Sequence, residues 1–444
     1  MRRLLLSLFV LIVLAETVWL SVSAQPSPEK ALPALLYTAA PSYAAEAWLK
    51  GGERFPFGAQ VLLYEAGKSR ALVSGFASTA DAAVSFDGTR VLFAGKKQPK
   101  DPWQIWETAL AGGDAKQISK CSSDCVRPFY LPGGRFVYAQ KLQGRFVLES
   151  AEFETGKRLQ LSYAPGNAMP TDVLRDGRIL FETAFPMGTG TSPEIYTVYS
   201  DGSGVESYRC NHGARRQGGK QNLAGDIVFA SGNGLARFTS ALAHEVDLEP
   251  PSGEFAGDVA SVAPGTYAVA WRADERTHWS LQEWDSTANS LVPIVATSDA
   301  DLVEPVLVQP RAVPNQHPSG LHDWSSANLL CLNAYTSKQK IPAGSVAAAK
   351  LYTTEEQGKP RLLGMSAVRA DGSFYVQVPG DMPLQIELLD AQGQTLLREQ
   401  GWWWMRKGEQ RICVGCHAGP ERAPENAVPQ VLVKSTKPVV MTGK

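Results

Sequence analysis

The sequence predicts an all-β protein: a β-propeller of six blades, with seven as the alternative, then a small β-sandwich and a C-terminal segment built around a cysteine–histidine motif. Three observations predict this. A turn-and-strand unit repeats through the middle of the chain. Strand-like alternation resumes after a proline-rich break near residue 310. The last strands run into Cys413-Val414-Gly415-Cys416-His417.

The N-terminus reads as an export signal. Met1-Arg2-Arg3 is a basic start, Leu4 to Ala15 is apolar, and Val22-Ser23-Ala24 before Gln25 fits a small-residue cleavage site. The alternative is an uncleaved anchor, which Glu16 inside the apolar run disfavours. Residues 1–24 are therefore set apart as a signal peptide. Removing Arg2, Arg3 and Glu16 from 43 basic and 44 acidic residues leaves 41 against 43. That balance excludes the basic footprint of a nucleic-acid binder. No later apolar run is long enough to span a membrane, so no span is expected after cleavage. The expected location is periplasmic or otherwise extracytoplasmic.

The propeller is expected over 30–310. Phe86-Asp87-Gly88 leads into Arg90-Val91-Leu92-Phe93, and Pro132-Gly133-Gly134 into Arg135-Phe136-Val137-Tyr138. Arg175-Asp176-Gly177 precedes Arg178-Ile179-Leu180-Phe181, Ala224-Gly225 precedes Asp226-Ile227-Val228-Phe229, and Pro264-Gly265 precedes Thr266-Tyr267-Ala268-Val269. The turn glycines recur about every 40–48 residues, the spacing of four-stranded blades. A second strand and turn follow several copies, as in Trp103-Gln104-Ile105-Trp106 before Ala111-Gly112-Gly113. Gln60 to Tyr64 and Leu302 to Val308 are the candidates for the remaining blade and its closure. These units resemble the TolB-type propeller repeat. The alternative is an array of sandwiches without radial closure.

A linker is expected over 311–324, opened by Gln309-Pro310-Arg311-Ala312-Val313-Pro314. The sandwich is expected over 325–402. Ser373-Phe374-Tyr375-Val376-Gln377-Val378 and Pro383-Leu384-Gln385-Ile386-Glu387-Leu388-Leu389 are its clearest strands. Gly401-Trp402-Trp403-Trp404-Met405 follows, with Trp402 and Trp404 on one face of a strand and Trp403 on the other. These rings are either a cofactor cover or ordinary core.

The segment 403–444 carries the chemistry. C-x-x-C-H is the attachment signature of c-type haem. Cys413 and Cys416 would hold the vinyl groups and His417 the iron as proximal ligand. Met405, His317 and His322 are candidates for the sixth position, and Arg406 and Arg411 for the propionates. Zinc at Cys413, Cys416 and His417 is the rival cofactor, and it lacks a fourth ligand. Cys210-Asn211-His212 is a weaker metal candidate. Cys121 and Cys125 bracket a short loop as a candidate disulfide, with a reduced pair or a metal site as alternatives. Cys210 and Cys331 pair with one another or stay as buried small hydrophobes.

Several stretches resemble a family. Glu304-Pro305, His317-Pro318-Ser319-Gly320-Leu321-His322-Asp323-Trp324, Asp371-Gly372-Ser373-Phe374 and Val378-Pro379-Gly380-Asp381 fit it. So does Gly408-Glu409-Gln410-Arg411-Ile412 running through the motif to Ala423-Pro424-Glu425-Asn426. Together they resemble the hydrazine synthase alpha-subunit-like proteins, specifically over about 300–440. The resemblance implies export, a β-propeller and a c-type haem domain. It does not imply the reaction, because hydrazine synthase is a multi-haem, multi-subunit enzyme and this chain has one C-x-x-C-H.

The function expected from these residues is an exported monohaem c-type cytochrome-like protein. It would transfer electrons, with the propeller docking a redox partner. One alternative is a redox enzyme with an open haem iron acting on a small nitrogen or oxygen species, its base drawn from His317, His322, Asp323 or the propeller mouth. The other is a propeller binding or scaffold protein with structural haem or zinc. No Ser-His-Asp order, phosphate loop or H-E-x-x-H helix points to hydrolysis or nucleotide chemistry, and no catalytic residue is assigned.

Overall fold

The computed structural model describes residues 32–184, 192–208, 214–241, 243–295, 298–337, 339–354, 359–415 and 427–443. The expected signal peptide, Cys210, His212, Cys416 and His417 lie outside them. The described residues are largely strand. Their helices are a single turn of 3-10 helix, Ala47–Lys50, and a short α-helix, Gln430–Lys434.

Six four-stranded antiparallel sheets resembling propeller blades come first. Sheet one pairs Leu35–Ala40 with Gln60–Glu65 and Lys68–Ala71, and takes its innermost strand, Asp301–Leu307, from the far end of the repeat. Sheets two to six start with the inner strands Ser78–Val84, Cys125–Leu131, Asn167–Val173, Arg216–Gln221 and Glu254–Ala263. Each then runs outward through three strands in chain order. The glycine turns make the first hairpin of sheets two to six. Gly88 has φ +75°, and the Asp87 carboxylate accepts the Thr89 N–H at 3.0 Å. Apolar residues of adjacent sheets pack together, as in the cluster of Leu180 and Ile195 with Ile227, Phe229 and Phe238.

Two sheets make the sandwich. One has the order Gln410–Cys413, Ser326–Cys331, Phe374–Pro379, Val439–Val440. The other has the order Pro360–Ala367, Ala348–Thr354, Met382–Leu389, Thr395–Arg398, with Trp403–Met405 also paired to Met382–Leu389. Leu329, Phe374 and Val376 from the first meet Leu351, Leu384 and Leu388 from the second in a dry core.

The expected fold class is corrected in two respects. No sheet among the described residues curls or closes on itself, so the described molecule is a set of open sheets resembling blades and not the six- or seven-bladed β-propeller expected. Nor is there a discrete haem segment after the sandwich. Trp403–Met405, Gln410–Cys413 and Val439–Val440 are strands of the sandwich itself, two of them paired in parallel with its earlier strands. The physical reason is that strands this short are not stable alone and satisfy their backbone hydrogen bonds by joining an existing sheet.

Candidate functional site

The six inner strands share one irregularity. Each carries a register shift partway along, as between Ala80 and Ala83, Val126 and Phe129, Gln217 and Lys220, or Phe255 and Val259. A bulge adds one residue and re-aims the side chain there. Asp81, Arg127 and Glu304 sit at such points with φ of +60°, +51° and +58°. These are left-handed conformations uncommon for residues other than glycine.

The re-aimed side chains meet. Arg127 grips Asp258 with both terminal nitrogens, at 2.6 and 3.1 Å, and lies 3.7 Å from Glu304. Lys220 reaches Asp258 at 3.4 Å and sits 4.6 Å from the centre of the Phe129 ring. Arg54, from the loop between Leu35–Ala40 and Gln60–Glu65, pairs with both Asp81 and Glu304. Two further bonds complete the cluster: the Arg127 backbone N–H donates to Asp81 at 3.0 Å, and the Thr38 side-chain Oγ1–H donates to Glu304 at 3.1 Å. Arg54, Asp81, Arg127, Asp258 and Glu304 are all buried.

Burial disfavours every one of these charges, and the outcome depends on the partners. Burial pushes Asp258 up, but Arg127 and then Lys220 outweigh it and hold the carboxyl at about 2. Burial also opposes charge on Arg54, yet Asp81 and Glu304 hold its guanidinium well above the ordinary value. Glu304 is raised, burial being the largest cause. Glu182 accepts the N–H of Gly218, and burial pushes it to about 7 against the pull of Arg127.

The loop that supplies Arg54 also lies over this cluster. Tyr43 N–H donates to Asp301 at 2.7 Å, Glu53 pairs with Lys96 at 2.7 Å, and Glu46 pairs with Arg215 at 2.5 Å. Asn167 donates to Leu49 O at 2.9 Å, and Gln217 to Ala45 O at 3.2 Å. The loop is thereby tied to sheets one, two, four and five. Two small cavities remain, of about 20 Å³ each, and Asp81 lines both. Each has room for about one water. Chemically the cluster is a compensated ionic lock with no space for a substrate.

The residues predicted to serve a haem do other work. Met405 is fully buried in the sandwich core. Trp404 is fully buried against the blades, its indole N–H donating to Gly202 O at 3.0 Å beside the rings of Phe181 and Tyr163. Arg406 binds Asp381 at 2.7 Å and the carbonyl of Asp201, and lies over Tyr163. Arg411 makes two bonds to Glu409, at 2.9 and 2.6 Å, and one to Val205 O. His317 stacks on Tyr199 with centroids 4.1 Å apart, and His322 stacks on Trp324 at 4.5 Å. Cys413 ends a sandwich strand in register with Cys331, and burial raises its thiol pKa. Cys121 and Cys125 are joined, with Cα atoms 6.3 Å apart.

The expectation of a monohaem electron-transfer protein is corrected on this placement. Among the described residues no three His, Cys, Asp or Glu side chains are gathered to hold a metal. The candidate sixth ligands are engaged separately, one in a core and two in aromatic stacks. The candidate propionate partners are tied to carboxylates and backbone carbonyls. Haem c or zinc as cofactor is withdrawn with that reading.

Sequence reasoning passed over the ionic lock. Its signal was present: a lone charge inside a run of small or apolar residues, in Ala80-Asp81-Ala82, Val126-Arg127-Pro128, Gly257-Asp258-Val259 and Val303-Glu304-Pro305.

A family model described as the hydrazine synthase alpha subunit middle domain matches residues 331–418. A chain of Kuenenia stuttgartiensis hydrazine synthase shares the fold. Its TM-score is 0.77 at 15% identity, over 91% of this chain and 72% of that one. TolB from Acinetobacter baumannii aligns with TM-score 0.46 and 15% identity, over 62% of this chain and 66% of its own. A puromycin-hydrolyzing peptidase of Mycobacterium tuberculosis aligns with TM-score 0.40 and 18% identity, over 54% of this chain and 41% of its own. No curated protein matches the sequence. Among the described residues no helix is long and apolar enough to cross a membrane.

Proposed function

We propose that this chain is an exported binding scaffold, in which the blade-like sheets and the sandwich form one rigid carrier for a partner. The observation that carries the reading is the filled space where the inner strands meet. Binding or catalytic clefts for small molecules usually run to several hundred Å³. Here the centre of the blades is filled by Arg54, Asp81, Arg127, Asp258 and Glu304, with about 20 Å³ on either side. An interior so filled adds rigidity and directs recognition to the outer surface.

Two further features support the reading. Trp404, Arg406 and Arg411 fasten the sandwich to the fourth sheet, so both parts present a single surface. The basic and apolar N-terminus, together with the Cys121–Cys125 disulfide, supports export to an oxidising compartment. The division into blades over 30–310 and a linker over 311–324 belongs to the same proposal.

The test has two arms. The exported chain is crosslinked in cells through its surface amines, and the purified chain is assayed on ester, amide and uronate substrates. A single partner adduct of reproducible mass, with no turnover, is expected. Turnover that disappears on Arg127→Ala while the protein stays folded would overturn the proposal.

A further inference from the structure

A further cavity lies away from the ionic lock, on the outer part of sheet two. It is a groove of about 500 Å³, within the size range of ligand sites. Its floor is Trp106, buried, with its indole N–H donating to Gly95 O at 3.2 Å and Phe76 packed edge-on at 4.9 Å. One wall is the loop closed by Cys121–Cys125. The Gln104 amide holds that wall at two points, accepting from Cys121 N–H and donating to Cys121 O, both at 2.9 Å. The wall is therefore fixed before anything binds, which lowers the ordering cost of binding.

The rim is basic. Lys97 and Lys120 line the groove, and Lys100 stands beside it, next to the lining residue Asp101. All three lysines are exposed, and among the described residues none forms an ion pair. Lys97 is held in place, its ammonium 3.6 Å from the Phe76 ring centre and 5.0 Å from that of Trp106. The one acid on the lining, Asp101, accepts the Gln98 N–H at 2.9 Å and is turned to its own loop. Uncompensated positive charge here contrasts with a formal net charge of −1 for the whole chain. Beside the groove, Lys116–Gln117 is the edge strand of sheet two, where an extended chain can add.

The geometry points to an acidic, extended peptide segment of a partner protein as the occupant of this groove. Its carboxylates meet Lys97 and Lys120, an apolar side chain rests on Trp106, and its backbone lies along the sheet edge. This rests on the scaffold reading and deepens it by naming where the partner binds and by what chemistry.

The probe is a fluorescein-labelled glutamate-rich peptide, titrated by anisotropy against the full exported chain. Binding is expected, and the Lys97→Glu/Lys120→Glu variant should weaken it about tenfold or more, a change of about 1.4 kcal/mol. Raising salt from about 0.05 to 0.5 M should weaken it too, because the charges are exposed. An unchanged thermal midpoint shows that the variant is folded, and Lys97→Gln/Lys120→Gln serves if the reversal does not fold. Equal binding of a glutamine-rich peptide, or full binding by the folded variants, overturns the assignment. So does stronger competition by a polyuronate, which would make the ligand a carbohydrate acid. A partner adduct that persists while the peptide fails sinks the groove assignment and leaves the scaffold reading standing.

Discussion

Trp404 and Gly202 are joined by an indole N–H···O=C bond of 3.0 Å, made by a fully buried ring between the sandwich and the fourth blade-like sheet. The contact is between residues 202 positions apart, and it fixes the two parts of the molecule to one another. Trp404→Ala should cost about 3–5 kcal/mol, the usual range for a buried aromatic. Trp404→Phe keeps most of the apolar contact and should cost about 1 kcal/mol, the bond alone. Urea unfolding of both variants checks the ranking. Equal losses would mean that the apolar contact adds nothing beyond the bond, and a Phe variant as stable as the parent would mean that the hydrogen bond contributes nothing.

Arg127 and Asp258 form the two-pronged pair of the ionic lock. Arg127→Ala leaves Asp258 buried with only Lys220 beside it and should cost about 3–5 kcal/mol. A double change to Arg127→Met with Asp258→Leu should restore much of that loss, because it removes both buried charges. Denaturation midpoints of the single and double variants decide the matter.

The same lock sets the acid limit. Asp258 is held at about 2 in the fold against an ordinary carboxylate value of 3.8. A depressed acid stabilises the fold above its unfolded value and loses that contribution as pH falls from about 4 towards 2. Thermal midpoints should therefore drop across that window. Asp258→Asn, though less stable at neutral pH, should show a shallower drop.

Glu182 acts in the opposite sense. Burial raises it from 4.5 to about 7, so between those values the fold holds a proton that the unfolded chain releases. Stability should then fall as pH rises from about 4.5 to 7. Glu182→Gln removes this titration, and its midpoint should vary less over that range. An unchanged slope in the variant would place the titration elsewhere.

Gly177 has φ +85°, and a Cβ there would fall on the carbonyl of Asn315, in the linker that crosses the hairpin turns. Gly177→Ala should cost at least about 1 kcal/mol from the left-handed backbone alone, and it should also loosen the linker. Faster proteolytic cutting within 309–324 is the second readout. Cutting at the parental rate would show that the linker does not depend on this contact.

Much of the strand structure was legible because it depends on near neighbours. Asp87-Gly88, Asp176-Gly177 and Gly265 close hairpins through their own backbone preferences, and the apolar runs after them are strands in the structure. The C-terminal stretch misled for the same reason. Read locally, Cys413 through His417 is a cofactor motif, while in space Cys413 ends a strand lying parallel to Ser326–Cys331, more than 80 positions earlier.

The sequence by itself determined the all-strand character, the positions of the hairpin turns and the proline-rich break before the sandwich. These follow from steric preferences and side-chain alternation within a few residues. Only the tertiary structure decided which charges meet. Arg127 finds Asp258 across 131 positions, and Arg54 finds Glu304 across 250. The aim of these side chains depends on bulges in the inner strands, and a bulge changes which face a residue takes without leaving a periodic trace. Burial then sets their protonation, so the ionic lock belongs to the assembled sheets and not to any segment of the chain.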